Sequence, residues 1–159
     1  MPILEVDGII IAQSGGIARF CGKHGNLYPK GDDLASALDA AKIDEIIDCC
    51  QEMSALVTAT LRMSDEEKAA TLKRVFEGRM KLYLAALEKR LTENGSGFLV
   101  GFKISIADLA VWRLIGNIKE YEGVPKFIDE YPALKKHNEE IGNNEKIKAW
   151  VDSHYPKQA

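Results

Sequence analysis

The rhythm of apolar and polar positions changes near residue 33. Before it, Leu4 and Val6 alternate with Glu5, and Ile9 to Ile11 form a β-branched run. Alternation marks a half-buried strand, and a β-branched run suits a buried one. Asp7-Gly8 between them is the pair that a two-residue type I′ loop requires, so Pro2 to Ala12 is expected to form a β-hairpin. Gln13-Ser14 stops the second strand. Ser14 is a good N-cap, and a short helix is expected through Ile17 to Phe20. Gly15 and Gly16 weaken that helix by about 1 kcal/mol each relative to alanine.

Gly25, Pro29 and Gly31, with polar residues between them, mark a linker. Beyond it the apolar period lengthens to three and four, the spacing of helices. A first long helix is expected from Asp33 to Met63, with Leu38, Ile43, Ile46, Ile47, Met53 and Val57 as its stripe. Ser64 followed by Glu67 is a capping box, which starts a second long helix running to Thr92. Asn94-Gly-Ser-Gly97 ends it. Ser105 and Asp108 form another box, with Ile104 and Leu109 as the hydrophobic staple around it. The helix they open is apolar on nearly all sides as far as Ile118, which places it at the centre of a bundle. Pro125 and Pro132 punctuate the remaining chain, and two short helices are expected over Ala133–Ile141 and Glu145–Ser153.

Composition narrows the class. The chain has 159 residues, 46% hydrophobic and 28% charged, the mix of a soluble globular domain. Its net charge of −3 lacks the basic excess of a nucleic-acid footprint. The longest apolar run, Gly8 to Ala12, is far short of the ~20 residues that span a membrane. Cys21, Cys49 and Cys50 have no zinc-type spacing, and buried free thiols in a reducing cytoplasm are the expectation for all three. His24, His137 and His154 stand in linker or surface-like contexts and are expected to be solvated, with no metal. One position has a specific chemical use. Gln13-Ser14 lies where a strand meets a helix N-terminus, whose free N–H groups suit a carboxylate. A plain serine cap with nothing bound is the alternative.

Taken together, these residues carry a resemblance. Pro2 to Gly8, then Ala-Gln-Ser14, then Ala-Arg-Phe20, resembles the end of the glutathione-binding domain of glutathione S-transferases. Ser105-Ile-Ala-Asp108, with Leu109 and Trp112, is similar to that family's capping box and staple. Ile43 to Asp48 resembles the start of its fourth helix, and the sigma class fits best.

The resemblance implies a mainly α fold. A remnant of a thioredoxin-like domain (residues 1–24, hairpin plus short helix) and a linker (25–32) would precede an all-helical C-terminal domain (33–159). Gln13 and Ser14 would hold the γ-glutamyl end of glutathione, the co-substrate. Pro2 would be the family's cis-proline, and Asp44 would reach the glutathione amino group across a homodimer. Ala110 and Leu114 would line the pocket of a small apolar electrophile. Ser105 and Asp108 are expected to be structural.

The family places a β-α-β unit, with its thiolate-stabilising tyrosine, ahead of the hairpin. One residue precedes Pro2, and no tyrosine matches, so no catalytic residue is assigned and the chain alone is expected to be inactive. The hairpin would then be disordered or paired with another chain, in a dimer or larger assembly. A non-catalytic interaction module is the alternative.

Overall fold

A computed structural model describes residues 2–119 and 127–155. The hairpin forms, with strands β1 (Ile3–Val6) and β2 (Ile9–Ala12) antiparallel and Leu4 opposite Ile11. Asp7 at φ 51° and Gly8 at φ 80° give the two left-handed residues of a type I′ turn. The β-branched run is not buried as expected: Ile9 and Ile10 are 68% and 64% exposed. The two-stranded sheet packs one face on the next helix and leaves the other, with Ile3 and Ile10, in solvent.

Helix α1 (Ser14–His24) leads through the linker to α2 (Leu34–Thr58). Asp33 is the N-cap of α2, its carboxylate accepting from the Ser36 N–H at 2.9 Å. That bond also holds the Asp33 carboxyl below its usual range. The first long helix stops earlier than its pattern suggests. It tightens into a 3₁₀ turn at Ala59–Arg62, where the buried Thr60 hydroxyl donates to the Val57 carbonyl. Leu38 leaves the expected stripe and is 52% exposed, because it lies in the opening turns of α2, ahead of the buried segment that begins at Ile43.

The second long helix is divided. Helix α3 (Asp65–Val75) starts from the Ser64–Glu67 capping box. A π-type turn at Phe76–Met80 separates it from α4 (Lys81–Asn94), and Gly78 takes non-helical angles there. Phe76 and Met80, at the two ends of this turn, are both buried in the core. Gly95 at φ 64° ends α4 in the left-handed conformation.

Helix α5 (Ile106–Lys119) is the centre of the bundle. Ala107, Val111 and Ile115 are wholly buried, packed between α2 and α6 (Pro132–Gly142). A 3₁₀ turn (Phe127–Glu130) precedes α6, and α7 (Glu145–His154) closes the described chain. Pro125 lies outside the described residues.

The box at the head of α5 is fully buried. Asp108 Oδ2 accepts from the Ser105 N–H at 2.7 Å and from its hydroxyl at 2.8 Å, and Oδ1 accepts from the Leu99 N–H at 2.9 Å. His137 corrects the expectation of a solvated histidine. It is 2% exposed on α6, its Nε2 2.9 Å from Asp108 Oδ1. Three backbone and hydroxyl donors already face the carboxylate, so Nε2 carries the proton and donates too. His24 and His154 are exposed, His24 tilted against Phe20 and His154 stacked on Trp150.

Candidate functional site

A cleft of about 680 Å³ lies between α1, α2 and α5. Gln13 and Ser14 stand at one end of its lining, and Ala110 and Leu114 belong to the same lining. The tertiary fold therefore brings together four of the residues singled out above.

The corner differs from expectation in one detail. Gln13, not Ser14, is the N-cap of α1, at φ 72° and ψ 122°, and Ser14 is the first helical residue. The positive φ turns the chain sharply from β2 into the helix. The Gln13 side chain makes no cap to the first turn, and no acidic residue lies in it. The amides that open α1 therefore keep the orphan character of a helix start, which suits an anion. Lys23 and His24 in the last turn complement the other end of the dipole.

Asp44 is not among the cleft residues. Its Oδ1 accepts from Arg19 Nε at 2.6 Å and its Oδ2 from the Tyr28 hydroxyl at 2.9 Å. Asp48, one turn further along α2, takes Arg19 Nη2 at 2.7 Å. Through this pair α2 grips α1 and fixes the Gln13–Ser14 corner. Bonding to Asp48, with Asp44 adding, strengthens the hold of Arg19 on its proton, and burial ahead of the Asp44 bond does the same for the Tyr28 phenol. Sequence reasoning did not assign Arg19 this role. The four-residue spacing of Asp44 and Asp48 signals a shared helix face, but nothing in it identifies a partner 25 residues away.

Pro2 is exposed beside the hairpin, outside the cleft lining. Its bond to Met1 lies outside the described residues.

Arg113, which no local pattern marks, is the charged residue of the cleft among the described residues. Gln51, Ser54 and Asn117 add neutral polar groups to a largely apolar wall. Among the described residues no tyrosine lines this cleft. Tyr28 donates to Asp44, Tyr83 to Glu52, and Tyr131 to the Lys81 carbonyl.

The cysteines depart from uniform burial. Cys21 is exposed and lines the cleft, because α1 turns that side outward, whereas Cys50 is buried. Burial pushes the Cys50 thiol up. Cys49 is pushed up to about 11 by burial, helped by Glu52 and Glu45. Neither is a ready thiolate at neutral pH. No group of His, Cys, Asp and Glu among the described residues is arranged to hold a metal, and none of their helices is long and apolar enough to cross a membrane.

The family description "Glutathione S-transferase, C-terminal domain" matches residues 51–154. Glutathione S-transferase A3 of Mus musculus is 28% identical over 95% of this chain, which spans 65% of that protein. Glutathione S-transferase 2 of Manduca sexta is 31% identical, with 96% of this chain and 73% of that protein covered. Among solved structures, the monomeric glutathione S-transferase Na-GST-3 of Necator americanus superposes with a TM-score of 0.84 at 26% identity, over 100% of this chain and 76% of that one. Prostaglandin synthase D of Nilaparvata lugens superposes with a TM-score of 0.81 at 28% identity, over 97% and 74%.

Proposed function

The chain belongs to the glutathione S-transferase family, and on that premise we propose that it holds glutathione at the Gln13–Ser14 corner, with an apolar electrophile further along the cleft. The observation that carries this is the shared lining: Gln13 and Ser14 open into the same 680 Å³ space as Ala110 and Leu114. A carboxylate of glutathione would meet the first-turn amides of α1 and the Ser14 hydroxyl. Glutathione is a net anion, and Arg113 gives the cleft a matching charge. Asp44 would reach a glutathione held by a second copy only through the edge of its carboxylate left open by Arg19 and Tyr28. The likeness to the Nilaparvata lugens synthase supports a sigma-class placement.

Binding is one matter and thiol activation another. A thiol with a pKa near 8.5 is a few per cent thiolate at neutral pH unless a nearby group lowers it. With no tyrosine among the described residues of the cleft lining, the chain is proposed to bind glutathione without activating it. Purified chain, glutathione and a chlorodinitrobenzene should therefore react close to the rate of the mixture without protein. A rate well above that background would mean that an activating group lies within these residues. Calorimetric titration should show glutathione binding that falls about tenfold or more in Ser14→Ala, the loss of a charge-assisted hydrogen bond. Unchanged affinity would remove Ser14 from the site.

A second reading, a non-catalytic interaction module, is favoured by the hairpin. Its solvent face carries Ile3 and Ile10, 65% and 64% exposed. Apolar strands with open edges pair readily with other chains. Light scattering over a range of concentrations should show self-association, reduced in Ile10→Lys. A concentration-independent monomer would count against assembly through this face.

A further inference from the structure

A second groove, of about 510 Å³, runs between the linker after α1, the first turns of α2 and the loop before α5. It shares only Leu27 with the cleft described above. Its floor is apolar, built on Ile43 and Val100, which are 3% and 6% exposed. Gly101, at φ 66°, turns the loop so that Phe102 stands on the rim, 89% exposed. Phe102 is the most exposed large apolar side chain among the described residues.

The polar groups of the groove divide into engaged and free. The Ser36 hydroxyl donates to Asp33, the Tyr28 hydroxyl to Asp44, and Asp39 pairs with Lys42 at 3.6 Å. Lys30 and Lys103 also line the groove, and neither has an ion pair or hydrogen bond to another described residue. Two unpartnered ammonium groups thus flank an apolar floor in a chain whose net charge is −3. Sites for small molecules are concave, mostly apolar and of this size, with a few polar groups that fix orientation. An ammonium is a compact point charge suited to an anion.

We propose that this groove binds a small aromatic carboxylate. The flat ring lies on Ile43 and Val100 and is covered from the rim by Phe102. The carboxylate meets Lys30 and Lys103. The proposal stands apart from the glutathione reading, since the two sites share only Leu27 and have different cations.

The test uses naphthoate as the probe and naphthalenemethanol as its uncharged counterpart, titrated into the isotope-labelled chain. Amide shifts are expected to gather at residues 28–30 and 100–104. The variant carrying both Lys30→Gln and Lys103→Gln should bind naphthoate about tenfold more weakly, the scale of two exposed ion pairs. Phe102→Ala should weaken it by roughly fivefold, the scale of one aromatic contact, with the melting temperature unchanged. Equal affinity for the uncharged counterpart, full affinity in the lysine variant, or shifts confined to Gln13 and Ala110 would each overturn the proposal. So would the absence of any naphthoate binding.

Discussion

Asp108→Ala is expected to abolish cooperative folding, the largest effect of any single substitution considered for this chain. Asp108 is fully buried and accepts from the Leu99 N–H, the Ser105 N–H, the Ser105 hydroxyl and His137 Nε2. Alanine leaves two backbone donors and a ring nitrogen without acceptors in the interior. A buried donor left unpaired costs about 1–3 kcal/mol, so three of them approach the ~5–15 kcal/mol that holds a typical domain together. The loss is concentrated where it does most damage. The Leu99 bond ties down the loop before α5, the Ser105 bonds start α5, and the His137 bond joins α5 to α6.

His137→Leu separates the two sides of this network. It removes one donor to Asp108 and, with it, His137 Nδ1, a buried nitrogen without a partner among the described residues. Its cost should be far smaller, because the box at Ser105 and the Leu99 bond remain. Thermal melts followed by circular dichroism give the comparison. For a chain of this size about 1 kcal/mol moves the midpoint by 2–4 °C. An Asp108→Ala protein melting within a few degrees of the parent would show that the carboxylate is not holding these elements together.

The second large effect is expected at Gly22. A Cβ there would stand 2.8 Å from Ile106 Cγ2 and 3.3 Å from Tyr28 Cβ. Ile106 is buried at the first turn of α5, and its Cγ2 branches at the backbone end of the side chain, so it has little room to yield. The Gly22 carbonyl also accepts from the Leu27 N–H at 2.9 Å, and the Leu27 carbonyl accepts from the Ile106 N–H at 3.0 Å. The contact of α1 with α5 is therefore stitched as well as packed. Forcing extra carbons into such a place costs about 1–3 kcal/mol.

Gly22→Leu should push α1 away from α5. The helix bundle behind it, from α2 to α6, should keep most of its melting temperature. The Gln13–Ser14 corner rides on α1, so glutathione affinity should fall more steeply than stability. Amide exchange would show faster protection loss in residues 14–24 than in α5. A Gly22→Leu chain that binds glutathione like the parent would mean that the corner does not depend on this contact.

Much of this architecture was legible from local chemistry. Asp7-Gly8 specifies a type I′ turn because both residues tolerate positive φ, and both adopt it. The Ser64–Glu67 box marked the start of α3 because a hydroxyl and a carboxylate three residues apart satisfy each other's nearby backbone N–H groups. The largely apolar surface of α5, interrupted by Arg113 and Asn117, marked the central helix, since a helix apolar on nearly all sides has to be covered on nearly all sides. The two closing helices lie within a residue of their expected ends. These features depend on neighbours within a turn or two, which a sequence displays directly.

What the sequence left open depended on residues far apart along the chain. Nothing around His137 shows that its ring will be buried against a carboxylate 29 residues away. Glu88 on α4 supplies the cap of α6, accepting from the Ala133 and Leu134 N–H groups at 2.9 and 2.7 Å. No local cap residue predicts that. Ser14 reads as an N-cap by type, but the turn out of β2 moves the cap to Gln13. The β-branched run Ile9–Ile11 reads as buried, yet α1 covers one face of the hairpin, which leaves Ile10 in solvent, and Ile9, next to the turn on the covered face, stays exposed. The site follows the same division. Gln13 and Ser14 could be picked out by their junction of strand and helix. That they share a cleft with Ala110 and Leu114, and that Arg19 clamps α1 to α2 through Asp44 and Asp48, was decided only when packing brought the three helices together.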